Sequence, residues 1–236
     1  MKAMIFSAGL GTRLNELTKH TPKALVKVGG ITLLERTILK LKQAGVDEIV
    51  INAHHFAEQI IDFVSHRDFG VNIHISLEKN LLDTGGGLKY AAHFFNDGKP
   101  FIIHNVDIIS DIDLQKMYNF HSRQNAMATL AVRNRETQRY LLFDDNFLLC
   151  GRENTKTNEK NIITTIPKST YLQQFAFSGI QVVSSKIFSF MPEKDVFSIT
   201  ELYLFATQSQ KIIGFLHNEG SWADMGKMED IVQFRC

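Results

Sequence analysis

Residues 1–13, MKAMIFSAGLGTR, place a short apolar run directly before a glycine-rich turn. The run at residues 3–7 is typical of a buried strand, because strands covered on both faces are almost continuously apolar. Gly9 and Gly11 allow a tight turn whose backbone N–H groups can approach an anion closely. A strand followed by such a turn predicts the start of an α/β domain with an anion site where the strand ends.

Strands and helices alternate through the remainder of the first half. Short apolar runs predict further strands, and apolar residues at helical spacing predict the helices between them. This order predicts βαβ units with right-handed crossovers, and therefore a mainly parallel sheet flanked by helices. The predicted strands are residues 48–52, 71–76 and 101–104, and the predicted helices are residues 33–41, 58–64 and 88–95, the last beginning after three consecutive glycines.

The second half has a less regular pattern. Polar residues 151–169 predict a loop, or a ribbon at the edge of the sheet. No repeat, low-complexity tract or linker separates the two halves, so we expect one continuous α/β domain over residues 1–236. Strands are predicted at residues 128–132, 140–143 and 177–183, and a helix is predicted at residues 199–207.

Composition limits the classes of protein and of partner. Lys+Arg number 26 and Asp+Glu 25, and the formal net charge of +1 excludes a globally basic nucleic-acid-binding protein and an acidic disordered tail. Cys150 and Cys236 form no disulfide framework and no zinc motif, which favours a reducing compartment. Neither a signal peptide nor an apolar span of roughly 20 residues is evident. We therefore expect a cytoplasmic protein that binds neither nucleic acid nor membrane.

Three phosphate-binding patterns compete for the turn at Gly9 and Gly11. A P-loop requires G-x-x-x-x-G-K-[ST], which is absent, and the dinucleotide fingerprint G-x-G-x-x-G has Leu14 in place of its last glycine. What remains is G-x-G-T-R, with Lys23 twelve residues after Gly11. Backbone amides and the fork of Arg13 suit the phosphates of a nucleotide, and Lys23 supplies a compact positive charge. We therefore favour a nucleotide phosphate site over a plain turn.

Two aspartates are candidate metal ligands. Asp107 follows the predicted strand 101–104, and ligands of open parallel sheets bind beyond the carboxyl ends of the strands. Mg²⁺ takes oxygen ligands and often uses only one or two carboxylates. The second candidate, Asp224, lies in the segment Trp222-Ala223-Asp224-Met225-Gly226. A turn or a helix cap is the alternative role for either aspartate taken alone.

These motifs resemble those of the sugar-1-phosphate nucleotidyltransferases, which open with A-x-G-x-G-T-R and P-K-x-L and close with W-x-D-x-G. Here the opening is Ala8-Gly9-Leu10-Gly11-Thr12-Arg13 and Pro22-Lys23-Ala24-Leu25, and the resemblance covers residues 1–230. Within the family the chain is most similar to the short bacterial N-acetylmuramate-1-phosphate uridylyltransferases. The short mannose-1-phosphate and heptose-1-phosphate guanylyltransferases are also similar. The resemblance implies a single Rossmann-like, glycosyltransferase-A-like domain in which residues 1–110 bind nucleotide and metal and residues 111–236 bind the sugar.

The resemblance also implies a reaction in which a sugar-1-phosphate oxygen attacks the α-phosphorus of a nucleoside triphosphate and pyrophosphate leaves. The attacking oxygen is already anionic, so alignment and charge neutralisation suffice without a general base. Arg13 and Lys23 would be catalytic, Arg13 holding pyrophosphate and Lys23 offsetting charge on the α-phosphate. Asp107 and Asp224 would hold Mg²⁺, and Asp107 and Gly179 would contact the sugar. The nucleotide would contact Ala8, Gly9, Gly11, Thr12, Arg13, Lys23, Thr84, Gly85, Gly86 and Asn105.

Two residues depart from the family pattern. Val106 stands before Asp107 where the family has a small residue, and Glu16 replaces a proline beside the phosphate site. These departures keep a second class of protein open, a nucleotide or sugar-phosphate sensor with weak catalysis on the same fold. A nicotinamide oxidoreductase is a more remote alternative, which Leu14 disfavours.

Smaller expectations concern residues outside these motifs. His54 and His55 are adjacent, so on a strand they point to opposite faces and cannot readily chelate one ion. Lys168 could meet the sugar phosphate, although surface lysines are usually only solvated. Asp111 and Asp113 are expected to cap the following helix. At 236 residues we expect the transferase domain with no appended acetyltransferase repeat, acting on small molecules as a monomer or small homo-oligomer.

Overall fold

A mixed β-sheet with helices on both faces organises the molecule. The computed structural model describes residues 1–163 and 171–234, and within them the main sheet has ten strands. In chain order the strands are β1 (Lys2–Phe6), β2 (Lys27–Val28), β3 (Ile31–Thr32), β4 (Glu48–Ala53), β5 (Asn72–Leu77), β6 (Phe101–Asn105), β7 (Ile108–Ser110), β8 (Ala128–Arg133), β9 (Arg139–Phe143), β10 (Leu149–Asn154), β11 (Glu159–Ile162), β12 (Gln173–Val183), β13 (Ile212–Leu216) and β14 (Trp222–Asp224). The helices are α1 (Leu33–Gln43), α2 (Ala57–Ser65), α3 (Asp83–Tyr90), α4 (Leu114–Gln124), α5 (Ile199–Ala206) and α6 (Met228–Gln233), and short 3₁₀ helices lie at Thr12–Thr18, Lys23–Leu25, Ala92–Phe95 and Ser185–Phe190.

The parallel part of the sheet comes from the first half of the chain. β4 and β6 pair in parallel with β1 in matching register, so that Phe6, Asn52 and Asn105 lie side by side where these strands end. β5 extends this block beyond β4. The glycine turn follows β1 and Asp107 follows β6. Both therefore lie at the same edge of the sheet.

Strands of the second half mostly pair antiparallel. β12 pairs antiparallel with β6, β8 and β9, and it shifts register between Phe177 and Gln181. β10 and β11 form a ribbon at the edge of the sheet, which confirms the ribbon alternative for residues 151–169 over the part that is described. Lys168 lies outside the described residues. The predicted α/β class with a mixed sheet flanked by helices is confirmed.

Two hydrophobic cores cover the two faces of the sheet. Successive side chains of a strand point to opposite faces, so Ala3 and Ile5 enter one core with α1, α2 and α4, whereas Met4 and Phe6 enter the other with α3 and α5. The Thr32 side chain caps the start of α1, accepting a hydrogen bond from the first-turn backbone at 3.1 Å. In the described part of the chain, no helix is both long and apolar enough to cross a bilayer.

Helix α3 begins five residues earlier than predicted, at Asp83 instead of Leu88. Its glycines lie in the first turns of the helix because another segment of the chain packs directly on them. The backbone N–H groups of Gly85 and Gly86 donate to the Phe197 carbonyl at 2.9 and 3.2 Å. The prediction that the helix begins only after the three glycines is therefore wrong, since the contact with residue 197 satisfies amides of its first turn.

Replacing Gly86 by alanine is expected to destabilise the fold by about 1–3 kcal/mol. A Cβ at Gly86 would lie 2.0 Å from the Asp195 carbonyl oxygen, so the backbone on one side has to move. Gly9→Ala is the matched control, because a Cβ there meets no heavy atom within 4 Å. Thermal unfolding followed by circular dichroism checks this, and equal melting temperatures for the two variants would contradict it.

Acidification is expected to destabilise the protein between pH 6.5 and 4, partly through His121. This histidine is buried, its Nδ1 lies 2.9 Å from Thr129 Oγ1, and burial lowers its pKa to about 4. Between pH 6.5 and 4 a histidine of the unfolded chain, with a pKa of about 6.5, binds more protons than the same histidine in the folded protein. Each such histidine therefore lowers the free energy of unfolding by about 1.4 kcal/mol for every unit by which the pH falls. Burial likewise lowers the pKa of His104 and His217 to about 4.

Urea unfolding at several pH values measures how steeply the free energy of unfolding changes with pH. His121→Asn should reduce the pH dependence of the free energy of unfolding by about one proton. A wild-type stability that stays constant from pH 6.5 to 4 would contradict the expectation.

Candidate functional site

The glycine turn follows β1 and leads into a short 3₁₀ helix. Gly11 adopts a φ of 65°, and its carbonyl accepts hydrogen bonds from Leu14 N at 2.9 Å and from Thr18 Oγ1 at 3.0 Å. Leu14 is buried in the core and anchors the turn. No long α-helix starts here, which distinguishes the turn from the dinucleotide fingerprint that the sequence already disfavours.

Lys23 joins this turn to the predicted metal aspartate. It is 9% exposed, and its Nζ donates directly to Asp107 Oδ2. A Cβ on Gly11 would lie 3.1 Å from Lys23 Cβ, so the lysine stem packs against the turn itself. A lysine with so little exposure to water requires an anionic partner. The ion pair therefore holds this cation beside the turn that is predicted to bind phosphate.

The ribbon of β7 and β14 brings the second aspartate to the first. Asp224 lies opposite Ile108 in this antiparallel ribbon, and the Met225 N–H donates to the Asp107 carbonyl at 2.8 Å. Burial, and after it the negative charge of Asp107, raise the pKa of the Asp224 carboxyl above its ordinary value. The two aspartates, distant in sequence, form one acidic centre.

Arg13 lies against the same centre, on Gly226. A Cβ on Gly226 would be 2.8 Å from Arg13 Nη2 and 2.7 Å from Asp224 Oδ1. The Gly226 N–H also donates to Asp224 Oδ1 at 2.8 Å. Glycine at this position therefore lets the guanidinium and the carboxylate approach each other with no side chain between them. Arg13 and Lys23 are thus two cations beside the two carboxylates.

The acidic centre fits Mg²⁺. Asp107 and Asp224 supply hard oxygen donors, and among residues 1–163 and 171–234 no group of three or more His, Cys, Asp and Glu side chains could hold a metal. Mg²⁺ is commonly bound by one or two carboxylates together with water and substrate phosphates, whereas zinc sites use three or four protein ligands. A divalent cation would offset the negative charge of Asp107, which contributes to the raised pKa of Asp224.

A cavity of about 550 Å³ lies at the glycine turn, a size typical of small-molecule sites. Its lining includes a buried polar chain, in which Ser7 N donates to Asn52 Oδ1 and Asn52 Nδ2 donates to Glu78 Oε1, both at 2.7 Å. Burial raises the pKa of Glu78, although the hydrogen bond from Asn52 opposes the shift. The predicted residues that line this cavity are Ala8, Gly9, Gly11, Thr12, Arg13, Lys23, Thr84, Asn105 and Asp107.

Three other predicted glycines serve packing. Gly85 and Gly86 lie outside the cavity lining, and their amides are bound to the Phe197 carbonyl. In α3 the cavity is lined by the first two residues, Asp83 and Thr84. Gly179 has a φ of 73°, and a Cβ there would lie 3.0 Å from Asn105 Nδ2. It therefore allows β12 to approach the end of β6 closely.

The structure accommodates both departures from the family pattern. Val106 is 4% exposed and packs in the core, and its N–H donates to the Phe6 carbonyl at 3.1 Å. Glu16 is exposed, and its carboxylate lies 4.0 Å from Lys19 Nζ, which offsets its charge. Val106 also lines the cavity at the glycine turn, so its bulk is the feature that keeps the sensor alternative open.

The expectation that two aspartates cap α4 is half correct. Asp113 is the N-cap and accepts a hydrogen bond from Lys116 N at 2.8 Å. Asp111 is not a cap, because its carboxylate accepts hydrogen bonds from the backbone and hydroxyl of Ser221 at 2.8 and 3.2 Å. These hydrogen bonds hold Ser221, the residue before β14, and so help to position Asp224 within that strand.

Several residues of this region have no motif in the sequence. Asn52 is the penultimate residue of β4 and Glu78 directly follows β5. A polar residue near the end of an apolar run was the available signal for Asn52. His54, which we did not assign to a metal, places its Nδ1 3.0 Å from the Glu78 carbonyl. Arg135 lies in a polar stretch that offers no such signal, and only the fold brings it to the acidic centre.

Comparison with known proteins agrees with the motifs over the whole chain. The family model described as Nucleotidyl transferase matches residues 2–236. The N-acetylmuramate alpha-1-phosphate uridylyltransferase of Neisseria meningitidis serogroup B is 29% identical over 234 residues, covering 96% of this chain and 93% of that protein. The mannose-1-phosphate guanyltransferase of Yarrowia lipolytica is 26% identical over 240 residues, and this chain spans only 63% of its length.

A solved structure supports the fold. HddC from Yersinia pseudotuberculosis, complexed with GMP-PN, superposes with a TM-score of 0.77 at 24% identity, covering 99% of this chain and 97% of that one. The match of the family model to nearly every residue, together with relatives named for sugar-1-phosphate nucleotidyl transfer, identifies this chain as a member of the nucleotidyl transferase family.

Proposed function

We propose that this protein is a Mg²⁺-dependent sugar-1-phosphate nucleotidyltransferase that makes a nucleoside diphosphate sugar and pyrophosphate. The observation that carries the proposal is the contact of Lys23 with Asp107, which joins the cation of the glycine turn to the acidic centre. A site built this way combines the two things that phosphoryl chemistry requires, positive charge and fixed position.

In the proposed reaction an oxygen of the sugar 1-phosphate forms a bond to the α-phosphorus. The bond from that phosphorus to the bridging oxygen breaks, and its electron pair leaves with pyrophosphate. The exposed Arg13 and the amides of the glycine turn hold the leaving group, while Lys23 donates to the α-phosphate. Asp107 and Asp224 would hold Mg²⁺, which when bound supplies further neutralisation of phosphate charge.

The nucleotide would occupy the cavity at the glycine turn. We keep Ala8, Gly9, Gly11, Thr12, Thr84 and Asn105 as nucleotide contacts, since all of them line it. Gly85 and Gly86 are replaced in this role by Asp83, because their amides are already bound within the fold. A cytoplasmic location and a monomer or small homo-oligomer complete the proposal.

For the substrates we favour UTP and N-acetylmuramate 1-phosphate. The support is the Neisseria relative, of which this chain spans 93%, compared with 63% for the mannose-1-phosphate guanyltransferase. The latter supports GTP with mannose 1-phosphate as the second candidate. GTP with a heptose 1-phosphate is a further alternative, which rests on the resemblance of the motifs alone.

Pyrophosphate release from a matrix of substrates tests the proposal. UTP, GTP, CTP and dTTP would each be combined with the 1-phosphates of N-acetylmuramate, mannose, glucose and a heptose. The highest kcat/KM is expected for UTP with N-acetylmuramate 1-phosphate, and a higher value with GTP would overturn the substrate assignment. Nucleotide binding without release from any pair would favour the sensor instead.

A further inference from the structure

A second cavity, of about 460 Å³, reaches the acidic centre without sharing a lining residue with the nucleotide cavity. Asp224 lines it, whereas Gly226, two residues further on, lines the nucleotide cavity. If the proposed function holds, the second substrate must reach the metal carboxylates while the nucleotide stays bound. The second cavity includes one of these carboxylates and is lined separately from the nucleotide cavity, so we assign it to the sugar phosphate.

Arg135 is held rigidly in the wall of this second cavity. Its guanidinium carbon lies 4.3 Å from the ring centroid of Trp222, close enough for a cation–π contact. Nη2 donates to the Phe177 carbonyl at 3.1 Å and Nη1 to the Glu136 carbonyl at 3.3 Å, which leaves one N–H on each nitrogen for a ligand. Trp222 Nε1 donates to the Ser178 carbonyl at 3.0 Å. The guanidinium is thus fixed on an indole that is itself tied to β12. Such a fork is preorganised for a ligand, since little side-chain entropy remains to be lost.

The charge of Arg135 has no ionic partner in the part of the chain that is described. The ion pairs among those residues do not include it, and its Nε is buried without a hydrogen-bond acceptor. Burial lowers the pKa of the guanidinium, while the nearby carboxylate of Asp224 raises it. Burying a cation without an ionic partner costs free energy, and an anionic ligand bound to the guanidinium would offset that cost. Asp224 is unsuited to that role, because it is committed to the acidic centre.

We propose that Arg135 binds a carboxylate on the sugar acceptor, and therefore that the acceptor is a sugar 1-phosphate carrying one carboxylate besides its phosphate. The planar fork of arginine matches a carboxylate in bidentate geometry. With Asp224 committed to the acidic centre, the charges of Lys227 and Asp230 offset each other, so the surplus positive charge of the cavity is that of Arg135. A single negative charge balances this arginine, whereas a second phosphate would bring up to two charges next to the two aspartates.

A comparison of three acceptors with wild type and Arg135→Met tests this proposal. The acceptors are N-acetylmuramate 1-phosphate, the same compound with its carboxylate converted to a carboxamide, and N-acetylglucosamine 1-phosphate. In the variant, KM for the carboxylated acceptor should rise about 10- to 100-fold with little change in kcat. For the two acceptors without a carboxylate, KM should change by less than about 2-fold. Arg135→Lys should recover part of the loss, since the charge stays and the fork does not.

Arg139→Met is the matched control, because it removes an exposed arginine at the start of the next strand. It should leave the KM of all three acceptors unchanged. An equal loss for all three acceptors in Arg135→Met, or no loss for any, would overturn the proposal. If circular dichroism shows that Arg135→Met is unfolded, the comparison of Arg135→Lys with Arg135→Gln replaces it.

Failure of the proposed function can be told apart from failure of this inference. Absence of pyrophosphate release by wild type with every nucleotide and acceptor would reject the transferase and leave Arg135 untouched. In that case calorimetric titration with N-acetylmuramate 1-phosphate and its carboxamide decides. Tighter binding of the carboxylated form by wild type, lost in Arg135→Met, supports the assignment, and equal binding of the two forms overturns it.

Discussion

Asp107→Asn is expected to lower kcat/KM for pyrophosphate release by about 10³-fold or more. Asparagine keeps the shape of the side chain, so the backbone hydrogen bond from Met225 to residue 107 should remain. The substitution removes one of the two carboxylates of the acidic centre, and with it the negative charge that pairs with Lys23. A buried lysine left beside a neutral amide, and a metal site with a single carboxylate, both weaken the neutralisation on which the reaction depends.

Steady-state pyrophosphate release over a Mg²⁺ titration measures this effect. Asp113→Asn provides the control, because the same substitution is made six residues away and asparagine is as good an N-cap as aspartate. It should retain wild-type activity and stability. Undiminished turnover in Asp107→Asn would show that this residue is not a metal ligand.

Most of the fold of the first 110 residues could be predicted, because the parallel strands and helices α1 and α2 have local signals. The apolar strand, the glycine turn after it and the capped helix α1 all follow from neighbouring residues. Helix α3 was misplaced because its start depends on a distant segment, with Gly85 and Gly86 bound to the Phe197 carbonyl. The sequence of a glycine run does not state whether a nucleotide or another part of the chain will cover it.

The candidate site divides in the same way. Lys23 and Asp107 were each predictable from a motif, but their direct contact depends on how residues 23–25 pack on the glycine turn. Arg135 was not predictable, since nothing in its polar surroundings distinguishes it from a solvated arginine. It becomes a candidate only when the fold places it on Trp222 beside Asp224.

Lys23→Met is expected to change catalysis and metal binding in opposite directions. Loss of the amine should lower kcat by about 10²–10³-fold, the usual cost of removing one preorganised donor from the transition state. Methionine preserves most of the buried stem that packs against Gly11. The expected fall in kcat therefore reports the missing charge, and a melting temperature close to that of wild type would confirm that the turn is intact.

In the absence of nucleotide, the same variant should bind a divalent cation more tightly. Lys23 Nζ donates to Asp107 Oδ2, so in wild type the amine and a metal compete for one carboxylate. Removing a unit charge at contact distance changes the electrostatic free energy by about 1–4 kcal/mol, which predicts at least about 5-fold tighter binding of Mn²⁺ measured by electron paramagnetic resonance.

Lys186→Met, which removes an exposed lysine outside the lining of the nucleotide cavity, should change neither kcat nor Mn²⁺ affinity. Weaker Mn²⁺ binding in Lys23→Met would contradict the competition. The competition has a consequence for the order of binding: a nucleotide whose phosphates draw Lys23 away from Asp107 frees the carboxylate for the metal. Nucleotide and Mn²⁺ should therefore bind cooperatively in wild type, and this cooperativity should be smaller in Lys23→Met.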